Sequence, residues 1–249
     1  MSSPRRLTPF RRVPLSPTGY SRPPAPCQYD RSMNLRPLAA SAAVLALAAC
    51  TGVESPPADS ILSDAAETMA QVANVHFSLV VDGGGEVPGL DVSSASGTVT
   101  STGSAEGDAV VTLPDTDPTV EYVIIGDDAY IKDPTGAFQQ VEIGGDELPY
   151  DPTVILDPDR GIAALLATYS WPEPQETDEI DGTAAYCYEM AFDGTLITEF
   201  LPAAGDWNTA TLWFDIETLH VLRAEFTRRD QTITLNFSDY NADVTIEHP

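Results

Sequence analysis

Basic side chains are scarce in this chain of 249 residues: 12 Lys and Arg stand against 38 Asp and Glu, and Lys132 is the sole lysine. The scarcity is uneven. Seven of the twelve precede Cys50, so the 200 residues from Cys50 onward hold five basic residues against 37 acidic ones, a formal charge of −32. Such a surface repels phosphate backbones and anionic headgroups within a Debye length of about 8–10 Å, which argues against nucleic acid and against electrostatic docking on a membrane. The acidic residues are spread over turns and strand faces, as in Asp127-Asp128 and Asp146-Glu147, the pattern of a solvated surface.

Histidine is also scarce, and His76, His220 and His248 lie far apart without close Cys or acidic partners at zinc-ligand spacing. Asp157-x-Asp159-x-Gly161 lacks the later acidic residue of a calcium loop, and helix capping accounts for Asp157 as well. There is no Gly-x-Ser-x-Gly, no phosphate-cradling Gly-rich loop with Lys, no Gly-x-Gly-x-x-Gly and no His-Glu-x-x-His. No catalytic residue, metal or cofactor is therefore expected, and the protein does not read as an enzyme.

Long apolar runs are missing too. Leu38 to Ala49, twelve residues, falls short of the roughly 20 that a membrane-spanning helix needs. With Arg36 before it and small residues at its end, it reads as the hydrophobic part of a secretory signal. Leu47-Ala48-Ala49-Cys50 resembles the lipobox of bacterial lipoproteins, which implies a diacylglyceryl group on Cys50, cleavage just before it and acylation of the new amino terminus. Met33 gives a signal of ordinary length, 33–49. Residues 1–32, rich in Arg, Pro and Ser, are read as not translated or disordered. With Cys50 assigned to lipid, Cys187 is expected to be a small buried apolar residue.

The remainder reads as a tether over 50–58 and one domain over 59–249. Asp59 or Ser60 caps a helix whose Ile61, Leu62, Ala65, Met69 and Val72 recur at helical spacing, ending near Asn74. From Val75 the period becomes two, with Val75, Phe77, Leu79 and Val81 on one face. Further strands are expected near 95–102, 107–113, 119–125, 128–132 and 138–143, joined by short Gly, Asp and Pro turns that make neighbours antiparallel. A second helix starts at Asp157 with Pro158 in its first turn and carries Ile162, Leu165, Leu166 and Tyr169. Strands resume near 183–192, 209–216, 219–227, 231–238 and 243–247, with a short helix near 195–201. An antiparallel sheet of about ten strands tends to curl, and its concave apolar face needs the helices as cover.

In order and spacing, six segments carry a resemblance: "VHFSLVV" after the opening helix, "GEVPGL", "YDPTVILDPDRGIAALLA", "DEIDGTAAYCYEM", "ATLWFDIETLHVLRAEF" and "NFSDYNADVTIEHP". Over Ile61 to Pro249 the chain resembles the LppX/LprA/LprF/LprG family of mycobacterial and actinobacterial lipid-carrying lipoproteins. The resemblance implies an α+β fold, a curved antiparallel half-barrel like LolA and LolB, whose helices cover the concave apolar face. It also implies a membrane-anchored lipoprotein that holds acyl chains of a lipid or glycolipid in an apolar cavity and carries or presents it in the cell envelope, outside the cell membrane. Some members of the family stand beside a major-facilitator-type export permease. The expected cavity residues are Ile61, Leu62, Met69, Ile162, Leu165, Leu166 and Tyr169, although each could equally be solid core. The alternative is a non-catalytic surface lipoprotein with a filled core that binds a protein partner.

Overall fold

The structure, a computed structural model, describes residues 54–83, 90–113, 116–133, 135–201, 207 and 209–249. Met33, the signal segment, Cys50 and most of the "GEVPGL" stretch lie outside the described residues. The first half of the chain forms α1 (Ala58–Met69), β1 (Asn74–Asp82), β2 (Val92–Thr100), β3 (Ser104–Val111), β4 (Thr119–Ile125), β5 (Asp128–Lys132) and β6 (Phe138–Val141). A 3-10 helix (Pro152–Leu156) and α2 (Ile162–Leu166) follow. The second half forms β7 (Ser170–Pro174), β8 (Asp178–Ile180), β9 (Thr183–Ala191), α3 (Gly194–Phe200), β10 (Thr209–Asp215), β11 (Val221–Arg228) and β12 (Gln231–Ser238).

All twelve strands join one antiparallel sheet in the order β6-β5-β4-β3-β2-β1-β12-β11-β10-β9-β7, with β8 also paired to β9. The two ends of this order, β6 and β7, do not pair, so the sheet curves without closing. Between the sequential halves lies the β1–β12 seam, where Phe77 faces Phe237 and Leu79 faces Leu235. Period-two alternation fixes the register. Val75, Phe77 and Leu79 point into the concave side, as do Ile233, Leu235 and Phe237 opposite them, and all are buried. A slip by one residue would turn the whole apolar set to water.

Curvature has a local cause at Gly97 and Gly107, paired across β2 and β3. A Cβ on Gly107 would lie 2.0 Å from the Ser96 carbonyl oxygen and 2.8 Å from the Tyr122 hydroxyl, so only glycine permits this approach. Tyr122 of β4 rests over the pair and donates to the Ser96 carbonyl at 3.4 Å.

Several sequence expectations are corrected. The helix α1 begins after Pro57, without a side-chain cap from Asp59 or Ser60, and ends at Met69. The second helix does not start at Asp157: that residue closes the 3-10 helix capped by Asp151, and α2 begins after Gly161. The Asp157 carboxylate is occupied by the amides of Asp159 and Arg160 and by the Arg160 guanidinium, which folds 157–160 into a turn. No strand forms over 243–247, because β12 is already paired on both edges by β1 and β11. Instead Asn241 and Ala242 bind Ala73 and Asn74 through hydrogen bonds of 2.7 to 2.9 Å. The strand β7, with Pro172 and Pro174, was not expected; it sits at the sheet end, where a missing N–H costs no ladder bond on the open side. Glu54 to Pro57, expected as the end of a tether, is docked: the Ser55 hydroxyl accepts from the Cys187 amide at 2.9 Å and Tyr188 donates to the Pro56 carbonyl at 2.8 Å.

Candidate functional site

The concave face of the sheet and its cover share one continuous apolar cluster. The sheet contributes Phe77, Leu79, Ile124, Tyr188, Phe214 and Phe226, and the cover contributes Leu62, Met69, Ile155, Leu165, Leu166 and Phe200. The cover has three parts: α1, laid across α2; residues 144–167, which contain the 3-10 helix and α2; and α3, which touches both of those helices. Asp193 caps α3 by accepting from the Thr195 amide at 2.8 Å.

The structure brings the seven expected cavity residues into this cluster. Leu62, Met69, Ile162, Leu165 and Leu166 are at most 3% exposed, while Ile61 and Tyr169 are partly buried against the same core. The Tyr169 hydroxyl donates to Asp59 at 3.4 Å, joining the end of α2 to the start of α1. Met69 also borders a half-enclosed pocket of about 260 Å³, walled by Val72, Ile155, Leu156, Pro158 and Ala163. The other six do not line that pocket.

A second space lies deeper on the concave side, between β2, β3 and β4 and the start of the cover. It measures about 10 Å³ and is lined by Val92, Ala95, Ala109, Tyr122, Leu148, Tyr150 and Pro152. At this point the side chains nearly fill the interior. Tyr122 and Tyr150 were not singled out in the sequence. Their signal was the small residues opposite them, Ala95, Gly97, Gly107 and Ala109, which leave width for rings from another element. Burial pushes both phenols well above the ordinary tyrosine range, since a buried phenolate loses its solvation; neighbouring Asp108 adds to this at Tyr122, and Asp151 at Tyr150.

The contact between cover and sheet has an unusual composition. Among the described residues, every hydrogen bond of segment 144–167 stays within the segment or its flanking turn, and none reaches a strand. Among the described residues, the segment meets the sheet through apolar contact. An acyl chain could replace that contact at little cost, since methylene against leucine repeats what leucine against leucine supplied.

Cys187 is buried, as expected, but on the convex side, packed with Ile180, Ala185 and Trp213. The other two cysteines, Cys27 and Cys50, lie outside the described residues.

The comparisons with known proteins agree with this architecture. LprF of Mycobacterium tuberculosis, a proposed diacylated-glycolipid transporter, is 27% identical over 215 residues, covering 80% of each chain. The lipoarabinomannan carrier protein LprG of Mycobacterium leprae is 23% identical, over 78% of this chain and 83% of its own. The crystal structure of LprF from Mycobacterium bovis superposes with a TM-score of 0.69 at 27% identity, over 80% of this chain and 99% of that one. The lipoprotein LppX of Mycobacterium tuberculosis shares the fold, with a TM-score of 0.57 at 18% identity over 76% of this chain and 98% of its own. The family description LppX_LprAFG lipoprotein fits residues 57–246, and the chain belongs to that family.

Proposed function

We propose that this protein is a membrane-anchored lipoprotein, held through a diacylglyceryl group on Cys50, that takes the acyl chains of a lipid or glycolipid between its concave sheet and its cover. It carries or presents that cargo in the cell envelope, on the outer side of the cell membrane, with a major-facilitator-type export permease as a further partner. The observation that carries the reading is the apolar, hydrogen-bond-free contact between segment 144–167 and the sheet. Two relatives named for glycolipid transport and lipoarabinomannan carriage support it. No covalent chemistry is needed: burial of chain surface, at about 25 cal/mol per Å², supplies the driving force. Among the described residues no helix is long and apolar enough to cross a membrane, so attachment rests on the anchor. The two acyl chains of the diacylglyceryl group, with a third on the new amino terminus, hold stably where one chain binds only reversibly.

Mass spectrometry of lipid extracted from the protein purified from an actinobacterium tests the carrier reading. Stoichiometric diacyl lipid is expected. Leu166→Trp, placed where Leu166 is 1% exposed, should reduce that lipid several-fold and destabilise the lipid-free protein by about 1–3 kcal/mol through overpacking. Lipid content at the wild-type level in Leu166→Trp would remove the seven residues from the site. The small size of the inner space, about 10 Å³, favours the second reading, a surface lipoprotein with a filled core that binds a protein partner. That reading gains if the purified protein is lipid-free.

The anchor has its own test. A thioether on the Cys50 sulfur and a disulfide from Cys187 to Cys50 exclude each other. The expected amino-terminal peptide starts at Cys50 and carries the diacylglyceryl mass. A peptide in which Cys50 is joined to Cys187, or any peptide from residues 1–32, refutes the anchor as proposed.

A further inference from the structure

The Tyr150 side chain is 3% exposed, lines the inner space of about 10 Å³, and its hydroxyl has no hydrogen-bond partner. A buried hydroxyl without a partner is costly and uncommon, and asks what it is kept for. Tyr122 lies on the same space, but its hydroxyl hydrogen is already given to Ser96. The remaining lining is hydrocarbon: Val92, Ala95, Ala109 and Leu148. The charges nearest the two phenols are those of Asp108, Glu106 and Asp151, all negative. A phosphate or carboxylate would be repelled here, whereas a neutral carbonyl carried on an apolar body meets both conditions. Tyr150 itself belongs to segment 144–167, which among the described residues no hydrogen bond fastens to a strand, so it can withdraw over the Ala95 and Ala109 floor as a chain enters.

We infer that the Tyr150 hydroxyl is the subsite for an acyl ester carbonyl, donating to the carbonyl oxygen of the ester that joins a bound chain to its glycerol. The assignment rests on the carrier reading above and places the polar end of the chain at β2–β4, with the methylenes running beneath α2 and α1. A single trapped water is the competing occupant. The space is about the size of one water, but two phenols give it at most two partners, fewer than the three a buried water usually makes.

The test uses the full chain stripped of bound lipid, as wild type and as Tyr150→Phe, with two probes: dipalmitoyl phosphatidylinositol and its dihexadecyl ether counterpart, which lacks both carbonyls. Wild type is expected to bind the ester about ten-fold more tightly, the worth of one hydrogen bond. Tyr150→Phe should bind both lipids equally, with ether affinity as in wild type. Stripped Tyr150→Phe should also melt about 2–4 °C higher, because an orphaned hydroxyl is gone. Equal binding of ester and ether by wild type overturns the assignment, and so does an ester preference that survives in Tyr150→Phe. A lower melting temperature for the stripped variant identifies a trapped water as the partner and overturns it as well. If wild type takes up neither probe, the carrier reading itself fails and the subsite goes with it.

Discussion

Asp157 gathers four donors on one carboxylate: the amides of Asp159 and Arg160 at 2.9 and 3.0 Å, and the Arg160 guanidinium at 3.1 and 2.7 Å. Partial burial works against its charge, but the bonds from Arg160 and from the two amides together outweigh it and lower its pKa. A carboxyl with a lower pKa folded than unfolded stabilises fully above the unfolded value, near 4, and loses that contribution as pH falls through the folded value. The cover should therefore loosen in acid below about pH 4. Asp157→Ala should reproduce the loosening at neutral pH, costing about 1–2 kcal/mol and raising hydrogen exchange at 158–162 more than at β1. Unchanged exchange there would show that Asp157 does not hold the turn. At this scale the sequence was half legible. The motif at 157–161 announced a structured carboxylate, but whether its donors belonged to a helix or to a turn depended on Gly161. A Cβ there would lie 2.5 to 2.7 Å from three carbonyl oxygens, those of Asp157, Ile155 and Val154. Tyr150 was less legible still, because an orphaned hydroxyl is a property of what faces it across the fold.

Elements that repeat a period were readable and elements made by exception were not. Period-two alternation located β1, β4 and β5, and β12 falls on its expected span of 231–238. The terminal 243–247 alternates equally well, but both edges of the preceding β12 are already taken by β1 and β11, and pairing is decided by the sheet, not by the segment. The strand β7 escaped for the opposite reason. Its two prolines and Trp171, at φ 53° and 83% exposed, read as a loop, yet an end strand needs ladder bonds on one side only. Gly97 and Gly107 look like weak points in otherwise good strands and are where the sheet bends. Gly107→Val should cost about 3 kcal/mol or more, since its Cβ meets a backbone oxygen at 2.0 Å that cannot step aside. Urea unfolding measures it, and a loss below about 1 kcal/mol would place the bend elsewhere.

For the whole molecule, the legible part was the class: a curled antiparallel sheet with a thin helical cover, acidic outside and apolar within. The seven residues expected around a cavity did come together, but a list of apolar positions cannot say how much room is left among them. Room depends on how tightly a segment without hydrogen bonds to its floor is pressed down, which is an equilibrium and not a composition. The central β1–β12 seam carries one more consequence, in time. The strand β1 ends at residue 82 and its partner β12 ends at residue 238, so the middle of the sheet waits for nearly the last part of the chain to be made. At a synthesis rate of about 5–20 residues per second, one edge of β1 stays open for on the order of 10–30 s. Folding of this protein is thus a late event, completed at the middle of the sheet, and the emerging chain depends until then on being kept apart from its own copies.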